Sequence, residues 1–282
     1  MPSDYTHLHF GRKIMDVLPE RFLEAVKGNR ELFEIGLQGP DILFFYKPLK
    51  KCPVNRTGYA MHEVSARDFF LPARDALNAA ENQPAALAYL AGFLGHYALD
   101  TICHGYIENK IAVSGRTHSE IEKEFDSYLA DIDFQKGAEL DSAKSIVASR
   151  KNAEIISAFF PTVSPKQVRK SLQSMKLLTN LLSGKGFRRP LVNLALKISG
   201  QYEKLHDMLR PRCPIVGCED SNLRLEKLME KALGFYKSLA CDYENFLNGK
   251  AFPEDLTRTF GPGDHWQDIP VLTLEEEKTY EV

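Results

Sequence analysis

Apolar and polar positions recur with helical rather than strand periodicity along most of the chain. In HFGRKIMDVLPERFLEAVK, starting at His9, Phe10, Ile14, Val17 and Leu18 share one face of an amphipathic helix. GLQGPDILFFYKP is punctuated by Gly36, Gly39, Pro40 and Pro48 and reads as a loop or a broken helix. GYAMHEVSARDFFLPARDALNAAE reads as helical, with a break near Pro72. The longest apolar run, PAALAYLAGFLGHYALDTIC, follows; Pro84 suits the first turn of a helix reaching to about Asn109. Thr117 and Glu120 form a capping-box pattern at the head of THSEIEKEFDSYLADID. SNLRLEKLMEKALGFYKSLACDYENFLNG is a further long amphipathic helix ending at Gly249. The tail from Phe252, interrupted by Pro253, Gly261, Pro262, Gly263 and Pro270, reads as an irregular strap with a frayed end. Strand signals are nearly absent, so an all-α bundle is expected. Its organisation is expected to be a helical core over residues 1–140, further helices on the same core over 141–250, and an irregular tail over 251–282.

The apolar run has the length of a membrane span, yet His96 and Asp100 lie within it. An ionisable group at the centre of a bilayer costs about 3 kcal/mol. A buried helix explains the run better, and no span is expected. Successive helix residues turn by about 100°, so His96, Asp100 and His104 lie on one stripe. A buried carboxylate is costly unless it is paired or metal-bound, which makes Asp100 the informative member. The next helix offers His118 and Glu122, again four apart, and His7, Asp41 and His62 add donors of the same type upstream. Imidazole nitrogens and carboxylate oxygens are zinc ligands, and the mixed set also suits manganese or iron. Five of the eight histidines belong to this constellation; His9 reads as structural, and His206 and His265 as surface or core residues.

At these residues the chain resembles the zinc-dependent phospholipase C family, related in fold to fungal single-strand nucleases. The resemblance rests on YTH near the N-terminus, GPD, MHE, GHYALDTICH and HSEIE, in that order. It implies a multi-helix bundle with a cluster of two or three zinc ions between helices. Its ligands would be His7, Asp41, His62, His96, Asp100, His104, His118 and Glu122. It further implies a phosphodiester hydrolase acting on a phosphodiester or phospholipid, with a metal-activated water attacking phosphorus. In that scheme His62, His96 and Asp100, with Asp41 close by as ligand or general base, hold one ion. His104, His118 and Glu122 hold a second, and His7 with Asp100 a third. Ile42 stands where choline-preferring members carry an aromatic residue, and Tyr59 is the candidate for lining a substrate pocket.

Two rival readings use the same donors. One is a nuclease or nucleotide phosphatase, with Phe44, Phe45, Tyr46 and Tyr97 as stacking surfaces. The other is a non-catalytic protein whose metals staple its helices. A net charge of −2 gives no global reason to expect a stable nucleic-acid partner. Basic residues do gather between Lys166 and Arg212, including GKGFRR at 184–189; a solvated face is the favoured account, with peripheral contact to an anionic membrane surface as the alternative. The five cysteines are too scattered for a disulfide framework, and the opening MPSDYTHLHFGRK lacks an export signal, so a reduced, cytoplasmic protein is expected.

Overall fold

The run that resembled a membrane span is the central helix of the protein. In a computed structural model, which describes residues 4–135, 141–182 and 214–282, it extends from Gln83 to Ser114. We number the helices in chain order: α1 Asp4–Ile14, α2 Glu20–Gly28, α3 Arg30–Gly36, α4 Pro53–Glu63, α5 Arg67–Ala79 and α6 Gln83–Ser114. These are followed by α7 His118–Gln135, α8 Ser142–Ser145, α9 Arg150–Ser157, α10 Pro165–Leu182, α11 Glu219–Leu247 and α12 Leu274–Thr279. The fold is all-α: no strand occurs among the described residues, only an isolated bridge between Ser65 and Thr259. No helix among them is long and apolar enough to cross a membrane.

Every position of α6 from Ala85 to Asp100 is buried. A helix without a polar face can satisfy its side chains only when surrounded, since each large aliphatic group removed from water contributes about 2 kcal/mol. α1, α2, α3, α5 and α11 accordingly pack around it. The start is set by Asn82, whose side chain accepts from the Ala85 amide at 3.2 Å, and the end by Gly115 in the left-handed region. That end lies beyond the expected Asn109: the helix continues through Gly105 and Asn109 to Gly115, which takes the left-handed conformation. At the head of α7 the capping box is present: Thr117 N–H donates to Glu120 at 2.8 Å, and Glu120 N–H donates back to Thr117 Oγ1 at 3.2 Å.

One crossing fixes the architecture of the site. α3 and α6 meet at backbone contact, where a Cβ on Gly36 would stand 2.2 Å from the Tyr89 carbonyl and one on Gly92 would stand 2.1 Å from that of Phe33. Only glycine permits this approach. It carries the end of α3 onto α6, and the following segment, read as a loop or broken helix, is a short 3-10 turn from Gly39 to Phe45 lying against His96.

Two local expectations need correction. α5 runs through Pro72 without a break, forgoing only the bond to the Asp68 carbonyl. The chain breaks instead at Val64–Ala66, where the Ala66 amide donates at 2.8 Å to Arg258 of the tail. The tail's end is not frayed: α12 has a capping box at Thr273 and Glu276, and its Glu277 is fully buried. Glu277 makes a two-pronged ion pair with Arg224 of α11, with Nε–Oε2 2.9 Å and Nη2–Oε1 2.8 Å, and the guanidinium also lies over the Tyr106 and Tyr280 rings. The basic cluster from Lys185 to Arg212, including GKGFRR, lies outside the described residues, as do His206 and Cys213.

Candidate metal centre

The cluster is built around the α6 stripe. His96 Nε2 lies 3.1 Å from Asp100 Oδ2, and His104 Nδ1 lies 3.8 Å from the same oxygen. α1 is fastened across α7 by two buried carboxylates. Asp126 accepts from the Thr6 amide at 2.9 Å and its hydroxyl at 2.8 Å; Asp133 accepts from Tyr5 at 2.9 Å and lies 2.9 Å from His9 Nδ1. His9 thus anchors the helix, while His7 on the other side stacks on His96 at 4.4 Å and puts Nε2 3.3 Å from Asp100 Oδ1.

The 3-10 turn supplies Asp41 and α4 supplies His62, whose Nε2 lies 3.1 Å from Asp41 Oδ1 and 3.8 Å from Asp100 Oδ2. Gly39 makes this possible: its φ is +52°, and a Cβ there would fall 2.2 Å from the His96 ring. From α7, His118 Nε2 reaches Glu122 Oε1 at 2.9 Å, and the same oxygen lies 3.9 Å from His104 Nε2. All eight side chains singled out in the sequence therefore meet in one place. Three sets each offer ligand atoms within 4.8 Å of one another: His7, His96 and Asp100; Asp41, His62 and His96; His104, His118 and Glu122.

The rings are oriented by backbone carbonyls. His62 Nδ1 faces the Gly58 carbonyl at 3.0 Å, His96 Nδ1 that of Leu37 at 3.2 Å, and His104 Nδ1 that of Phe260 at 2.7 Å. A carbonyl only accepts, so each Nδ1 carries a hydrogen, and in the neutral ring the lone pair is left to Nε2. Leu37, Gly58 and Phe260 were not singled out in the sequence, because a main-chain acceptor has no residue signature.

Burial disfavours charge here, yet the neighbours outweigh it. His104 is pushed up to about 10 because Asp100 and Glu122 flank it, and His7 and His62 are raised by Asp100 and Asp41. Asp100 is held well below the usual carboxylate range by His104 and His96, and Glu122 by His118 and His104. Even so, His7 Nδ1, Asp41 Oδ1, His96 Nε2 and Glu122 Oε2 are buried without a hydrogen-bond partner. Orphaned donors and acceptors at the focus of a polar cluster fit a bound cation, which would engage the lone pairs that protons leave unused.

Around this centre, Tyr59 is about half exposed and stacks on Phe44 at 4.2 Å, and the Phe44 ring lies 5.5 Å from that of His62. Phe45 and Tyr97 are buried in the core. His265 is exposed beside Asp268.

No curated protein and no solved structure matches the chain. Residues 6–171 match the sequence model of a family described as zinc dependent phospholipase C, a region that spans more than half the chain and holds every donor named above. The centre's imidazole and carboxylate groups are those that zinc takes, and the chain belongs to the zinc-dependent phospholipase C family.

Proposed function

We propose that this chain is a metal-dependent phosphodiester hydrolase that cleaves a phospholipid on its phosphate, with two or three zinc ions. The observation that carries this reading is the set of three donor groups, two of them sharing His96 and the third reaching the same carboxylate hub through His104, with buried polar atoms of His7, Asp41, His96 and Glu122 left unpartnered. Asp41, His62, His96 and Asp100 would hold one ion, His104, His118 and Glu122 a second, and His7 with Asp100 a third. Zinc bound in such a site lowers the pKa of a coordinated water and neutralises charge on phosphoryl oxygens. Asp41 comes from a turn rather than from the α6 stripe, and its carboxylate can take the proton that the attacking water gives up. Tyr59 and Phe44 supply an aromatic edge against which a lipid headgroup or glycerol backbone would pack. The nucleotide-directed reading loses Tyr97 and Phe45, which are buried, as stacking surfaces but keeps Phe44 and Tyr46, which are partly exposed, so the comparison of substrates decides between the two.

The test is metal content per chain, followed by hydrolysis of bis-p-nitrophenyl phosphate with and without zinc, and then of phospholipid against single-stranded nucleic acid. Two or more ions, and an activity lost in His118→Ala, are expected. Bound metal without any phosphodiester hydrolysis would leave a stapled, non-catalytic protein; hydrolysis of nucleic acid in preference to lipid would reassign the substrate.

A further inference from the structure

The tail after Pro253 lies beyond the residues that carry the family match, yet it runs alongside the metal centre. It is tied down at intervals. The Thr257 carbonyl accepts from Ser65 Oγ at 2.8 Å, the Thr259 carbonyl from Thr101 Oγ1 at 3.0 Å, and the Ile269 carbonyl from Asn109 at 2.6 Å. Between these ties, Gly261 N–H donates to the His62 carbonyl at 3.1 Å. Phe260 sits at the centre, fully buried, its ring 5.8 Å from that of His62 and 6.0 Å from that of His96, and its carbonyl 2.7 Å from His104 Nδ1. One residue of the tail therefore touches three imidazoles from two helices.

We propose that Phe260 is a positioning residue of the metal centre: its carbonyl keeps the hydrogen on Nδ1 of His104 and so reserves Nε2 for the metal, while its ring sets the spacing of His62 and His96. This rests on the metal-binding reading above. A water in the carbonyl's place could donate as well as accept, leaving either ring nitrogen free; an acceptor-only group removes that choice. The carbonyl is itself held by neighbours on both sides, Thr259 through Thr101 and Gly261 through His62. Thr101 is the residue directly after Asp100, so the tail and the ligand stripe are bonded together at the point of use.

Gly261 offers a way to displace the strap without altering any donor. A Cβ there would stand 2.9 Å from the His62 carbonyl, a contact too short to persist, so the strap and the His62 main chain must move apart. The experiment compares wild type, Gly261→Ala and Thr101→Val by zinc calorimetry, by the visible spectrum of the cobalt-loaded proteins and by thermal melting. Gly261→Ala is expected to bind at least one ion about tenfold or more weakly, the range typical of lost outer-shell partners, with a changed cobalt spectrum. Thr101→Val, which removes only the hydroxyl that holds the Thr259 carbonyl, is expected to change both in the same direction by less, and it decides the matter if Gly261→Ala does not fold. Zinc affinity and cobalt spectrum at wild-type values in the folded variants, even with a lowered melting temperature, would overturn the proposal and leave the strap as packing alone. Wild type that takes up no metal would instead defeat the metal reading itself, and this inference with it.

Discussion

Asp100 and His96 face each other across one turn of α6 at 3.1 Å, and Asp100 is also approached by His7 at 3.3 Å and by His62 and His104 at 3.8 Å. Four imidazoles around one carboxylate make Asp100 the hub of the cluster. Asp100→Asn keeps the shape and removes the charge. Metal content measured after zinc loading and dialysis is expected to drop, and phosphodiester hydrolysis to fall by about 100-fold or more, beyond the range of outer-shell changes. Retention of all ions in this variant would move the hub elsewhere.

Gly39→Ala tests the turn that delivers Asp41. The left-handed backbone costs a non-glycine residue about 1–2 kcal/mol, and the new Cβ at 2.2 Å from the His96 ring adds a clash with a side chain that has no room to retreat. Lower thermal stability and weaker zinc binding are expected together. A stable variant with normal zinc affinity would mean that the turn relaxes freely.

The metal-free and zinc-loaded proteins are expected to respond oppositely to pH. Without metal, the raised pKa of His104 contributes stability fully below about pH 6.5, lost as pH rises through about 10. The lowered pKa values of Asp100 and Glu122 contribute above their usual range near 4 and are lost as pH falls. The metal-free protein should therefore melt highest between about pH 4.5 and 6.5. Zinc must displace protons from the same rings, so its stabilising increment should grow with pH. Calorimetry in buffers of different ionisation enthalpy reads the proton release directly, and no release at neutral pH would contradict the raised histidines.

The buried Arg224–Glu277 pair predicts a non-additive pair of mutations. Glu277→Gln leaves the guanidinium buried without its counter-charge and should cost about 3–5 kcal/mol in urea unfolding. Arg224→Met combined with Glu277→Leu should be near neutral. Equal destabilisation in single and double variants would show that the pair has no special dependence on charge.

The all-α class and the His96–Asp100–His104 stripe were legible because four-residue spacing has a fixed meaning on a helix. The capping box at Thr117 was legible for a similar local reason. The meeting of Asp41 and His62 with that stripe was legible only through the family resemblance, which grouped them with His96 and Asp100; no local spacing predicts it, since it depends on the backbone crossing at Gly36 and Gly92, a contact between segments far apart in sequence. Pro72 misled for the opposite reason: a helix held by packing tolerates one missing hydrogen bond. The buried end of the tail was invisible because Glu277 and Arg224 look like surface charges until the fold pairs them.

The bond from His104 to the Phe260 carbonyl has a consequence for when the centre can form. The eight candidate ligands lie between His7 and Glu122, whereas Phe260 follows all of them in the chain, so the carbonyl that fixes His104 is synthesised only after every candidate ligand. A nascent chain halted before the strap would hold those histidines without the frame that aims them.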